Sequence, residues 1–262
     1  MSLPADDLAL AHELVDLADA ITIDRFGAAD LAIETKPDMT PVTEADTGVE
    51  RAVRERLAAA RPDDEVVGEE YGAPSTDGER RWIIDPIDGT KGYVRGLPVW
   101  ATLLALRAEG ELTLGVVSAP ALGRRWWAAR GEGAYARRDG DRGTRELRVS
   151  DIGRLGDAQL CFGGLEEWEQ TGRAEALLEL GRACWRSRGF GDFWGYMIVA
   201  EGGAEIMLDP IVSVWDLAAP LVIVEEAGGR FTDFAGDRTA EGGDALATNG
   251  HVHEAALEII GR

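Results

Sequence analysis

At 262 residues, with 45% apolar side chains and eight tryptophans, the chain can bury a real core and reads as one large domain or two small ones, not as a disordered segment. A net charge of -21 leaves no basic surface for nucleic acid or an anionic membrane, and an anionic ligand would need a local cation to approach. No run approaches about 18 apolar residues, Met1 to Asp7 lacks signal-peptide form, and Cys161 and Cys184 stand apart, so a reduced, cytoplasmic setting without a membrane span is expected.

From Asp6 to Phe26, Leu10, Leu14, Leu17 and Ile21 recur at helical spacing and predict a core-facing helix with His12 on its surface. Lys36-Pro37-Asp38 reads as a loop. Thr43-Glu44-Ala45-Asp46 has capping-box form and opens a second helix bearing Val49, Val53 and Leu57, where Asp46 fits as a helix-start acid. Val66-Val67 reads as a brief strand delivering Glu69 and Glu70, of which only one can aim at a given face. Ala73 to Arg80 reads as a surface loop.

Trp82-Ile83-Ile84 predicts a buried strand that runs into Asp85-Pro86-Ile87-Asp88-Gly89-Thr90. Proline lacks an N–H, so the ladder should end near Pro86. Two carboxylates at the end of a buried strand are costly unless something positive lies between them. Hard divalent cations take oxygen ligands, so Asp85, Asp88 and a carbonyl freed between them fit such a site, with Gly89 permitting close approach and Thr90 offering a hydroxyl. Backbone N–H groups at Gly89-Thr90 would suit phosphate if a helix follows. The alternative is an Asp-rich turn, since Asp-Gly pairs also mark hairpins.

Residues 99–106 and 112–118 read as strands joined by Glu109-Gly110-Glu111. Trp126-Trp127 and Ala134-Tyr135 extend an antiparallel sheet around Gly131 and Gly133, with the tryptophans in the core. Asp139 to Arg145, charged and without apolar residues, is the candidate boundary. Beyond it come strands at Arg148–Ser150 and Gln159–Phe162 and a helix over Arg173–Trp185 with Leu177, Leu178 and Leu180. A second helix opens at Gly191-Asp192-Phe193-Trp194 and runs to Gly202, and a strand over Ala204–Leu208 ends at Asp209-Pro210. Asp216 starts a helix with Leu217, Leu221 and Val224, closed by Gly228-Gly229. A strand over Arg230–Phe234 and a helix over His251–Ile260 follow, with His251 and His253 as ordinary helix-start residues.

DPIDGT at 85–90 resembles the first signature of the inositol monophosphatase-like phosphatases, Mg2+-dependent enzymes that hydrolyse small phosphate monoesters. Gly68-Glu69-Glu70 upstream, and Trp215-Asp216-Leu217-Ala218-Ala219-Pro220 with Glu226-Ala227-Gly228-Gly229 downstream, are similar to that family's other motifs in order and spacing. The resemblance implies an α/β (α+β) class and a layered αβαβα sugar-phosphatase fold. An N-terminal α+β part over 1–145 would carry the GEE and DPIDGT motifs. A C-terminal α/β part over 146–262 would carry the Trp-Asp motif and the specificity residues, the two meeting at the metals.

It further implies Glu69, Asp85, the Ile87 carbonyl, Asp88 and Asp216 as ligands for two or three Mg2+ ions, with Glu70 nearby. That set has a physical rationale: four separated carboxylates repel one another unless cations lie between them. Glu69, Thr90 and Asp46 would serve catalysis by metal-activated water attack. The implied substrate-binding residues are Glu69, Ile87, Asp88, Gly89, Thr90, Arg188, Gly191, Asp192, Phe193, Asp209 and Asp216.

The stretches DGTKGYVRGLPVWATLLAL, SRGFGDFWGYMIVAEGGAEIMLDP and SVWDLAAPLVIVEEAGG are most similar to the histidinol-phosphate phosphatase branch, with Gly92 departing from the Asn usual there. Asp192, Glu201 and Asp209 are acids suited to the ammonium and imidazole of histidinol phosphate. Inositol 1-phosphate, 3′-phosphoadenosine 5′-phosphate and a non-catalytic metal-binding module are the rival readings. A cytoplasmic homodimer acting on a small phosphate ester is the expected form.

Overall fold

The chain begins with α1 (Ala5–Arg25), the short hairpin β1 (Ile33–Thr35) and β2 (Pro41–Thr43), and α2 (Glu44–Ala60). Then come β3 (Glu65–Gly68), β4 (Arg80–Asp88), α3 (Thr90–Val94), β5 (Ala101–Ala108), β6 (Glu111–Ala119), β7 (Arg124–Ala129), β8 (Gly133–Arg138) and β9 (Arg145–Glu146). The remainder is β10 (Gln159–Phe162), α4 (Leu165–Gln170), α5 (Ala174–Ala183), β11 (Arg186–Arg188), α6 (Asp192–Ala200), β12 (Ile206–Asp209), α7 (Val214–Glu226), β13 (Arg230–Thr232), β14 (Ala245–Thr248) and α8 (His253–Ile260). The structure, a computed structural model, describes residues 5–37, 39–72 and 78–261, so Asp38 and 73–77 of the two expected loops, and residues 1–4, lie outside the described residues.

Strand alternation sets the layers. β3 to β9 form one sheet in sequence order, parallel only between β3 and β4. One face presents Trp82, Ile84, Leu104, Leu106, Leu114 and Val116 to α1 and α2. The other presents Ile83, Leu103, Ala105 and Val117 to α6 and α7. A second sheet, ordered β11-β10-β12-β14-β13, closes over the far side of those helices through Cys161, Met207, Ala245 and Ala247. Its outer face, with Leu160, Ile206, Leu208 and Leu246, is covered by α4, α5 and α8. The result is the expected five layers, αβαβα.

The middle helix layer explains the apolar density of the Trp-Asp motif. Residues 217–224 of α7 are buried without a break, as a helix between two sheets requires. Gly115 on β6 makes the contact close: a Cβ there would lie 2.5 Å from the Ala219 carbonyl oxygen. No helix among the described residues is long and apolar enough to cross a membrane.

Several local expectations are corrected. β4 continues past Pro86 to Asp88, its ladder shifting register between Asp85 and Asp88 instead of ending, because a bulge absorbs the missing N–H. On α1 the buried face is Leu10, Ala11, Leu14, Val15 and Ala18, while Leu17 and Ile21 are half-buried; the alanines let the helix sit close to its neighbours. His12 packs edge-on against Trp127 at 5.1 Å and is half-buried. Arg148–Ser150 forms no strand: β9 pairs with β8 just before it, and Val149 N–H bonds the Ala227 carbonyl beyond α7. His253 is fully buried, held at 3.0 Å by the hydroxyls of both Thr232 and Thr248, and burial pulls its pKa down to about 4. Cys161 and Cys184 are unpaired thiols.

Candidate active site

The bulge in β4 is the start of the site. Asp85 Oδ1 accepts from the Ile87 N–H at 2.9 Å, and Thr102 donates to the Pro86 carbonyl at 2.8 Å, so the irregular strand is held in shape. Gly89 follows at φ +85°, with the Val99 carbonyl 3.1 Å from where a Cβ would stand. That conformation suits glycine alone and turns the chain into α3. The Ile87 carbonyl accepts from the Thr90 hydroxyl at 2.8 Å, and the same hydroxyl lies 3.3 Å from Asp46 Oδ1.

Asp46 and Asp216 are delivered by the same device from opposite halves of the chain. Each sits three residues after a capping Thr43 or Ser213, and each spends one oxygen on the cap. Asp46 Oδ2 accepts from Thr43 N–H at 2.8 Å, and Asp216 Oδ2 from Ser213 N–H at 2.7 Å. The second oxygen is left for the site. For Asp216 the helix-start acid is also the acid that lines the cavity, whereas Asp46 lines neither cavity and reaches the Thr90 hydroxyl instead.

Asp85, Asp88 and Asp216 converge, with ligand atoms all within 4.8 Å of one another. Glu69 stands beside them, tied with Glu70 to Lys36 at 2.6 and 2.7 Å. A cavity of about 190 Å3 is lined by Glu69, Asp85, Asp88, Thr90, Lys91 and Asp216. Asp88, Asp192 and Asp216 also line a second one of about 170 Å3, which extends to Tyr196, Asp209 and Glu167. A cavity of about 220 Å3 elsewhere contains none of these acids; its Arg107 and Arg238 are paired with Glu241, and with Glu225 and Glu111.

α6 joins the two cavities. Gly191 precedes it, Asp192 adopts φ +53°, and the Phe193 N–H donates to Asp88 Oδ2 at 2.5 Å. A left-handed aspartate costs strain and marks a position held by its surroundings. Phe193 itself is buried against Trp126. Asp209, at the end of β12, accepts from the Tyr196 hydroxyl at 2.8 Å. Arg188, on β11, is exposed, bonds the Ser187 carbonyl and lines neither cavity.

Glu201 lies away from the site. Arg124, Arg145 and the Trp126 indole occupy it, so it does not receive a substrate cation.

Burial drives Asp85 well above the usual carboxylate range, and repulsion from Glu69, Asp88 and Asp216 adds to it. Asp88 is raised by burial and then by Asp192 and Asp216. Asp216 reaches about 6, burial outweighing the Ser213 N–H. Asp209 is raised by burial despite the Tyr196 hydroxyl. Burial lowers Lys36, but hydrogen bonds to Glu69 and Glu70 prevail and hold it charged. Glu70 rises to about 7 because it is buried, an effect that the Lys36 hydrogen bond offsets only in part and that repulsion from Glu69 reinforces. Uncompensated carboxylates at the end of a strand, all oxygen donors, fit a hard divalent cation.

The proton balance gives a direct expectation. Folded-state values above the unfolded one of about 3.9 mean that the metal-free fold binds protons more tightly than the unfolded chain. This contribution favours folding below about pH 4 and is lost as pH rises through the Asp216 value of about 6. Mg2+ binds the ionised form, so the gap in Tm between Mg2+ and chelator should widen from about pH 5.5 to 7.5. A gap independent of pH would contradict the assignment. Reading the difference cancels the opposite trend of His253.

The residues match the inositol monophosphatase family model over 5–261. The chain belongs to the inositol monophosphatase family. Histidinol-phosphatases of Streptomyces coelicolor and Mycobacterium tuberculosis are 52% and 54% identical to it, covering 97% and 96% of both chains. A solved IMPase of Thermotoga maritima superposes with a TM-score of 0.85 at 30% identity, covering 97% of this chain and 96% of its own. Within this family member, sequence reasoning overlooked Lys36, Tyr196 and Glu167. One signal was present: of 27 basic residues only Lys36 and Lys91 are lysines, and both lie at the site.

Proposed function

We propose that the chain is a Mg2+-dependent phosphate monoester hydrolase that converts L-histidinol phosphate and water to L-histidinol and phosphate. The observation that carries this reading is the pair of cavities with a shared wall: acids for hard cations on one side, and Asp192, Asp209 and Glu167 edging the other. Histidinol brings an ammonium and an imidazole, both of which carboxylates receive; an inositol ring offers hydroxyls alone. The name borne by the relatives at 52% and 54% identity supports the same choice over inositol esters.

Glu69, Asp85, Asp88, Asp216 and the Ile87 carbonyl would hold two or three Mg2+ ions. When bound, these ions neutralise phosphoryl charge and lower the pKa of an adjacent water. The chain's own part is positional. The Thr90 hydroxyl donates its hydrogen bond to the Ile87 carbonyl or to Asp46, so its oxygen keeps a lone pair that accepts from a water and orients it. Gly89 lets the ester approach the backbone, and the Lys91 ammonium faces it. Gly191, Asp192, Phe193 and Asp209 shape the leaving-group side; a part for Arg188, which lines neither cavity here, would require its side chain to swing in from β11. Cys161 is buried with its thiol pushed up to about 12, which removes it as a nucleophile.

In this reading the parts 1–145 and 146–262 meet at the carboxylates, and the enzyme works as a cytoplasmic homodimer, which a solution mass measurement checks. The main test is a panel of esters assayed side by side with Mg2+ and with chelator. L-Histidinol phosphate should show the highest kcat/KM, with activity lost in chelator. Preference for inositol 1-phosphate or 3′-phosphoadenosine 5′-phosphate would overturn the substrate, and no phosphate release from any ester would overturn the enzyme.

A further inference from the structure

Glu50 is a fully buried carboxylate in the middle of α2, away from both cavities, and it is surrounded by donors. Its Oε2 accepts from the Glu70 N–H at 2.8 Å, and its Oε1 from the Tyr71 N–H at 3.2 Å. Arg54, one turn on, donates to Oε1 from Nε at 2.9 Å. The same guanidinium reaches the Val66 carbonyl at 3.1 Å and the Gly72 carbonyl at 2.8 Å. Gly68 and Gly72 pair with each other across this turn, at 3.2 and 3.0 Å. Gly68 has to be glycine: a Cβ would lie 2.1 Å from Glu50 Oε1.

We propose that Glu50, braced by Arg54, is a positioning residue that fixes the backbone of 68–72 and so aims Glu69 at the cation site. The inference rests on the reading of Glu69 as a residue that holds Mg2+. The physical reason is the count of acceptors. Two backbone N–H groups and a guanidinium need both carboxylate oxygens, and among the described residues Glu50 is the acceptor for the Glu70 and Tyr71 amides. Glutamine keeps the shape but turns one oxygen into a donor, so at least one buried amide loses its partner and the turn is released on that side. Glu69 leaves the chain directly before those amides, so its carboxylate loses its fixed aim.

The test compares wild type with Glu50→Gln. Calorimetric Mg2+ titration without substrate should show affinity weakened by about 10–100-fold, the range for residues that support a ligand without touching the ion. Amide hydrogen exchange at Glu70 and Tyr71 should accelerate, and at saturating Mg2+ the KM for the ester should stay near wild type. Unchanged Mg2+ affinity in folded Glu50→Gln overturns the proposal, as do unchanged amide exchange rates. If Glu50→Gln does not fold, Arg54→Lys serves: it keeps Glu50 but removes the fork to Val66 and Gly72, and it too must weaken Mg2+ binding. Wild type that binds no Mg2+ at all would sink the functional reading itself, whereas equal binding by wild type and variant sinks only the role of Glu50.

Discussion

Asp88→Asn is expected to abolish nearly all phosphate release while leaving the fold intact. The side chain is almost fully buried, sits within 4.8 Å of the ligand atoms of Asp85 and Asp216, and accepts from Phe193 N–H. Asparagine keeps the size and an oxygen for that amide but removes the charge a hard cation requires. Residues that merely support a ligand cost about 10–100-fold, so loss at a ligand itself should exceed about a hundredfold at any Mg2+ concentration. Stability should move the other way. Removing one of several mutually repelling acids relieves the metal-free protein, so in chelator Asp88→Asn should melt above wild type. Wild-type hydrolysis at limiting Mg2+ would refute the assignment.

The second large effect concerns Asp192. Asp192→Asn should lower kcat/KM for L-histidinol phosphate more than for glycerol 2-phosphate, a neutral-alcohol ester. One charge-assisted hydrogen bond is worth roughly 1.5–3 kcal/mol, or about one to two decades if kept in the transition state. The substitution is clean for the backbone, because asparagine tolerates the left-handed φ of +53° as well as aspartate does. Burial raises the Asp192 pKa and the nearby Lys91 ammonium pulls partly against that, so removing the acid also leaves an ammonium less balanced. That change acts on the phosphate of both esters alike, which makes the ratio between them the informative quantity. Equal losses on both would remove the charge argument for the substrate.

The layers were legible because long amphipathic helices and alternating strands write their burial into the sequence, and the convergence of Asp85, Asp88 and Asp216 because the motifs that carry them keep order and spacing. What escaped depends on distant partners. β1, β2, β11 and β14 are three or four residues long and become strands only through their neighbours. The two threonines that bury His253 stand 21 and 5 residues away from it. Glu201 is an acid beside a motif, yet Arg124 on β7 and Arg145 on β9 claim it. Asp46 was readable as a capping acid, but only the fold brings Thr90 to its second oxygen.

The scarcity of lysine has a practical side. Arginine stays protonated and is a poor target for acylating reagents, so the chain's side-chain amines number two, both at the catalytic cleft. They are also unlike each other: Lys36 is clamped by two carboxylates, while Lys91 lines open space. Apart from the backbone α-amine, an amine-directed chemical label can therefore react only at this cleft. Surface coupling through those two side chains would block the mouth of the site.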